Sequence, residues 1–157
     1  MGLDYSYLLY FKRDQLWDVL QGIVEIAEPH HPPVSIHFPD HVLSIPLDSW
    51  SLKDKMIHHD DLEFGFDTVL KFKMDEAIID YMVRHKLEEE EGFRGPPDDD
   101  EENLIAIGYI YLSVYQKIPD QSPSDLVLFD FGTTGTRMSM LFNYSMSIRE
   151  TFLGLLK

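Results

Sequence analysis

Leu104-Ile105-Ala106-Ile107-Gly108-Tyr109-Ile110-Tyr111-Leu112-Ser113-Val114-Tyr115 is apolar or aromatic on both parities, which is the pattern of a strand covered on both faces. Ile105, Ile107, Tyr109, Tyr111 and Tyr115 share one parity, and the run predicts a single central strand over 104–115. Around it, strand-like segments come in neighbouring pairs and do not alternate singly with helices. That grouping decides the fold class.

On the C-terminal side, Pro119 and Pro123 frame a loop, and Leu126 to Phe131 and Arg137 to Phe142 read as two strands about Gly132-Thr133-Thr134-Gly135-Thr136. Ser147-Ile148-Arg149-Glu150 has the form of a capping box, with Ser147 accepting from the Glu150 backbone N–H, so a helix to about Leu156 is expected. On the N-terminal side, Glu88 to Asn103 is acidic, holds Gly92, Gly95, Pro96 and Pro97, and reads as a mobile surface loop. Before it, Asp75 is placed to cap a helix over 75–87 with Ile78, Ile79, Met82 and Val83 on one side; the β-branched content keeps a strand as the alternative.

Further back, Leu62, Phe64 and Phe66 alternate with Glu63 and Gly65, and Val69 to Lys73 is placed to pair with them across Asp67-Thr68. Residues 48–61 read as a polar excursion. Val34 to Phe38 and Val42 to Leu47 form a hairpin about Pro39-Asp40, whose second strand Pro46 confines to an edge. Leu16, Leu20, Ile23 and Ala27 recur at helical spacing, predicting an amphipathic helix over 14–28 stopped by Pro29. Asp4 to Phe11 is a further strand, expected to be central. The sum is an α+β fold: an antiparallel or mixed sheet of about 5–7 strands, with about three helices packed on one face, in one domain over 1–157.

Charge and composition narrow the function. The 157 residues carry no cysteine, which removes disulfides, thiol nucleophiles and cysteine-ligated metal, and the expected compartment is cytoplasmic. No apolar run approaches the length of a membrane-spanning helix, so no membrane partner is expected. Thirteen Lys and Arg stand against 28 Asp and Glu, a net charge of −15, which opposes a nucleic-acid partner. Nine acidic residues and Arg94 within 88–103 account for −8 of it, leaving −7 for the rest.

Four patterns are candidates for chemistry. Asp130-Phe131-Gly132-Thr133-Thr134-Gly135-Thr136-Arg137 places backbone N–H groups of a Gly/Thr turn where they can cradle an anion, with Gly132, Thr133, Thr134, Gly135, Thr136 and Arg137 as the binding set. These eight residues resemble the first phosphate loop of the actin-like ATPase and sugar kinase superfamily, in which the Asp would approach the metal and the Thr hydroxyls the phosphates. The second phosphate loop and adenosine site of that superfamily have no room in the 20 residues after Arg137, so the plain expectation is a hairpin turn.

Six of the seven histidines fall between His30 and His59, and His37, His41, His58 and His59 are the candidate metal ligands. Neighbouring histidines in extended chain point to opposite sides, so all of them cannot converge. Asp98, Asp99, Asp100, Glu101 and Glu102 lack the spacing of a calcium loop and are candidates for contact with a basic partner, as is Trp50, an aromatic in a polar stretch.

No nucleophile elbow, Walker loop or dinucleotide fingerprint is present, and no cofactor is implied. The expected function is a small non-enzymatic cytoplasmic domain of interaction or immunity-like type that binds a protein, one of basic character. The alternative is a small-ligand or phosphate-binding protein or enzyme using the Gly132 to Arg137 turn, with a histidine-bound metal in one version. A homodimer built by self-pairing of an edge strand is a third arrangement.

Overall fold

The computed structural model describes residues 5–49, 56–86, 93–94, 103–118, 125–133 and 136–157, the side chains of His85, Arg94, Thr136 and Arg137 excepted. In chain order come β1 (Tyr7–Lys12), a 3-10 turn (Arg13–Gln15), α1 (Leu16–Ile26), β2 (Val34–His37), β3 (Val42–Ile45), β4 (Met56–His58), β5 (Glu63–Thr68), β6 (Lys71–Lys73) and α2 (Glu76–His85). They are followed by β7 (Phe93–Arg94), β8 (Leu104–Ile107), β9 (Ile110–Tyr115), β10 (Leu126–Thr133), α3 (Thr136–Tyr144) and α4 (Met146–Gly154).

The run read as one central strand is two. Gly108, at φ 134°, adopts a backbone conformation that side-chain-bearing residues resist, and the chain changes sheets there. β9 pairs with β5 and β8 pairs with β6, both antiparallel. Residues 63–73 therefore do not fold back on themselves as a hairpin, as expected, but run beside 115–104 as one bent ribbon. Thr68 faces Ile110 and Lys71 faces Ala106, so residues 69–70 on one side oppose 107–109 on the other. At this corner residues 69–70 turn to the end of α1 instead, with Leu70 bridging Ala27 and the Val69 carbonyl accepting from Glu28 N–H at 2.7 Å, and the ribbon passes from one sheet into the next. The Thr68 hydroxyl, donating to the Ile110 carbonyl at 2.7 Å, pins the corner.

The four-stranded sheet has the order β1-β10-β9-β5 and is antiparallel throughout. β1 lies at its edge, not at its centre: Leu9 and Phe11 are buried, while Leu8, Tyr10 and Lys12 on the other parity are exposed. Across the sheet, Tyr7, Phe131, Leu112 and Phe66 share a row, as do Leu9, Phe129, Val114 and Phe64. The helices pack on this inner face. Phe152 of α4 stacks on Tyr7 at 4.4 Å and meets Phe131 at 4.7 Å, Phe142 of α3 meets Tyr7 edge-on at 5.3 Å, and Trp17 of α1 lies 6.1 Å from Phe64. Burying a side chain such as Phe152 or Phe131 stabilises the fold by roughly 1.5–3 kcal/mol. The architecture is α+β with mixed sheets and helices.

Two three-stranded sheets complete it. One, β6-β8-β7, is antiparallel and turns Phe72 inward to within 6.0 Å of Phe152. Its strand β7 comes from the acidic segment 88–103, whose other residues, Asn103 apart, lie outside the described residues. The other sheet, β3-β2-β4, contains the expected hairpin, with β3 at the edge and ending at Ile45, just before Pro46. Its third strand, β4, is parallel to β2 and lies in the expected polar excursion; three residues with only Ile57 buried leave too short a pattern to read.

Two further expectations are corrected. Residues 136–144 form α3, not a strand, because Met138, Leu141 and Phe142 are all buried, a spacing of i, i+3 and i+4. The cap of the last helix is Ser145, whose hydroxyl accepts from Ile148 N–H, while the Ser147 hydroxyl donates to the Lys73 carbonyl. Asp75 caps α2 as expected, but Ile78 and Tyr81 are its buried residues, and Ile79 and Val83 face solvent.

Candidate functional site

The histidines predicted to gather on a metal are divided by the strand geometry. Parallel pairing sets His37 of β2 directly opposite His58 of β4, with ring centroids 5.9 Å apart. His59, one residue on, meets the edge of Phe38 at 5.3 Å, and its Nδ1 is buried without a hydrogen-bond partner. His41 stacks on Phe38 at 4.3 Å, and its Nδ1 lies 2.7 Å from Asp40 Oδ1; that hydrogen bond holds the Asp40 carboxyl below its ordinary pKa. The four candidates thus form two pairs. Among the described residues, no group of three or more His, Cys, Asp or Glu is arranged to hold a metal ion.

The Gly/Thr segment is not a hairpin turn. Gly132 and Thr133 are the last residues of β10, opposite Tyr111 and Ile110, and Gly132 does not adopt a positive φ. Thr136 opens α3, so the order is strand, loop, helix. Thr134 and Gly135 lie outside the described residues, and so do Trp50, Asp98, Asp99, Asp100, Glu101 and Glu102. Asp130, on β10, has its pKa raised by burial.

The structure also assembles a corner with no sequence signal, since its parts lie far apart in the chain. Asp48 and Asp67 form an isolated antiparallel bridge in which the Asp67 N–H donates to the Asp48 carbonyl at 3.0 Å. His30 Nε2 lies 3.6 Å from Asp48 Oδ1. Glu28, His30, Asp48, Asp67 and Tyr109 line a cavity of about 130 Å³. Asp67 Oδ1 is buried without a hydrogen-bond partner; burial first, and then the nearby Asp48, raise its pKa, so this carboxyl holds a proton more readily than a solvated one.

A fourth surface follows from the sheet. The parity opposite the helices carries Leu8, Tyr10 and Lys12 on β1, Leu126, Leu128 and Asp130 on β10, and Tyr111, Ser113 and Tyr115 on β9. Leu8 is 50% exposed, Tyr10 43%, Tyr111 42% and Leu126 38%. The sequence hid this face because Tyr and Leu in strands read equally well as core. Elsewhere, a groove of about 590 Å³ between α1, β6 and α4 sets Lys71 and Lys73 against Glu25 and Glu150, so its walls carry no net sign.

Among the described residues no helix is long and apolar enough to cross a membrane. No protein-family model, no curated protein and no solved structure matches this chain.

Proposed function

We propose that this chain is a non-enzymatic protein-binding domain, that its contact surface is the outer face of the four-stranded sheet, and that its partner is a basic protein. One observation supports the reading: Leu8, Tyr10, Tyr111 and Leu126 are exposed on the same sheet face, opposite the helices. Apolar side chains exposed together on one sheet face are costly to leave in water and mark contact sites, and tyrosine suits them because its ring is apolar and its tip polar. Lys12, Glu63, Asp67 and Asp130 share the face, three carboxylates to one cation, on a chain of net charge −15. A partner with Lys and Arg around an apolar centre is steered toward it, whereas a second copy would set like charges against each other.

The test compares wild type with Leu8→Asp/Tyr10→Asp, both half-exposed positions, as immobilised baits. A basic protein held by wild type, lost from the double variant and weakened by added salt supports the reading. Equal capture by both baits, or none, rejects it.

A second reading is favoured by one observation. The Gly/Thr segment feeds the N-terminus of α3, an electropositive end of a helix, in place of a hairpin. Inorganic phosphate then raises the thermal midpoint of wild type and not of Arg137→Ala; no shift in either removes it.

A further inference from the structure

We propose that His37 and His58 form a two-histidine chelate for a borderline transition-metal dication, binding Cu²⁺ most tightly and Ni²⁺ and Zn²⁺ more weakly, on the exposed face of the β3-β2-β4 sheet. The strand register carries the inference. The parallel pairing of β2 and β4 places these two residues directly across from each other, and paired residues project from the same face. On that face Val42, Ser44, Met56 and His58 are exposed, while Val34, Ile36, Ile45 and Ile57 on the other side are buried in the core.

The ring separation is near the required one. Two imidazoles that each place one nitrogen about 2.1 Å from a common ion at tetragonal or tetrahedral angles have centroids roughly 4.5–5.3 Å apart; here they are 5.9 Å apart, so a small rotation of the two side chains brings them to that spacing. Among the described residues, no hydrogen bond or ion pair engages either imidazole. The surroundings favour a cation. Asp61 sits beside His58, its Oδ2 accepting from the His58 N–H at 2.9 Å, and Asp60 is next in sequence. His59 cannot join, since its ring is turned to Phe38, and His41 is held by Phe38 and Asp40.

Two protein nitrogens leave the remaining coordination positions to water, so the site exchanges its ion freely, unlike a four-ligand structural zinc centre. Imidazole donors suit Cu, Ni and Zn, and affinity for a given site rises to Cu²⁺ and falls again at Zn²⁺. The ion would tie β4, a strand of three residues, to β2. Because only neutral imidazole ligates, protons compete for the site.

The experiment is calorimetric titration of the full chain with CuCl2, NiCl2 and ZnCl2, for wild type, His37→Asn, His58→Asn and His41→Ala. Wild type is expected to take up one Cu²⁺ with the highest affinity of the three ions, to gain thermal stability with it, and to lose binding in mildly acidic buffer. Each of His37→Asn and His58→Asn weakens binding at least tenfold, and His41→Ala does not. His58 is exposed, so its variant folds and decides the matter if the partly buried His37 variant does not. Absence of saturable binding by wild type, wild-type affinity in His58→Asn, or an equal loss in His41→Ala overturns the proposal.

Discussion

The Ser145 hydroxyl donates to Asp75 Oδ2 at 2.7 Å, and through this contact one carboxylate serves the starts of two helices. Asp75 Oδ1 accepts from Ile78 N–H in the first turn of α2, and Oδ2 also accepts from Ser147 N–H in the first turn of α4. Replacing Asp75 with Ala leaves these donors unmatched. Two weakened caps cost roughly 1–3 kcal/mol, readable as a lower urea midpoint with an unchanged slope. A variant as stable as wild type would mean the two caps carry no net energy.

The same junction sets an acid response. Desolvation pushes the Asp75 carboxyl up, but the hydrogen bonds from Ser145, Ser147, Ile78 and Ala77 together outweigh it and leave the pKa below its ordinary value. A carboxyl lowered in the folded state contributes stability that is present above its unfolded pKa and is lost as pH falls through the lowered one. Wild type is therefore expected to lose stability more steeply than Asp75→Asn on acidification below the ordinary carboxylate range. Parallel denaturation curves for the two across that range would contradict this.

Asp67 runs in the opposite sense. Its pKa is raised by burial and by Asp48, so the stability it contributes is present below its unfolded pKa and is lost as pH rises through the raised folded value. Asp67→Asn keeps the shape and removes the charge; it is expected to stabilise the protein at neutral pH and to do little at low pH. Thermal midpoints at the two pH values check the sign.

Phe152 is fully buried among Tyr7, Phe72, Phe131 and Phe142. Phe152→Ala opens a cavity between the two antiparallel sheets and the helices, at an expected cost of about 3–5 kcal/mol, whereas Phe152→Leu retains more than half of that. Equilibrium unfolding of the pair gives the ranking.

Gly108→Ala tests the corner between the two sheets. At φ 134° an added Cβ is strained, and a loss of more than about 1 kcal/mol is expected. The same change at Gly132 is expected to cost less, because φ there is not positive and nothing lies within 4 Å of the position a Cβ would take. Urea midpoints of the two variants decide the order.

Much of this fold can be read from local pattern. The hydrophobic stripe of α1, the Asp75 cap and the 34–47 hairpin emerge because each depends on neighbours within a few residues. What depends on distant partners does not. Tyr111 reads as core, yet its side of β9 faces out; residues 63–73 look like a hairpin, yet they run on beside 104–115. Periodicity reports that a strand has two faces without reporting what covers each. The histidines follow the same rule: opposite projection of His58 and His59 is predictable, but the pairing of His58 with His37 needs the parallel register of β4, which three residues cannot reveal. The Asp48, Asp67 and His30 corner joins three separate segments and leaves no trace in the sequence.

β10 lies between β9 and β1, the strand farthest from it in sequence. Until Phe131 has left the ribosome, β1 has no neighbour to hydrogen-bond with, and the inner edge of β9 is bare. Pairing over such sequence separations makes loop closure expensive and folding slow. The nascent polypeptide therefore carries Leu9 and Phe11 without their strand partner until then, and the sheet closes only when the last strand joins the first.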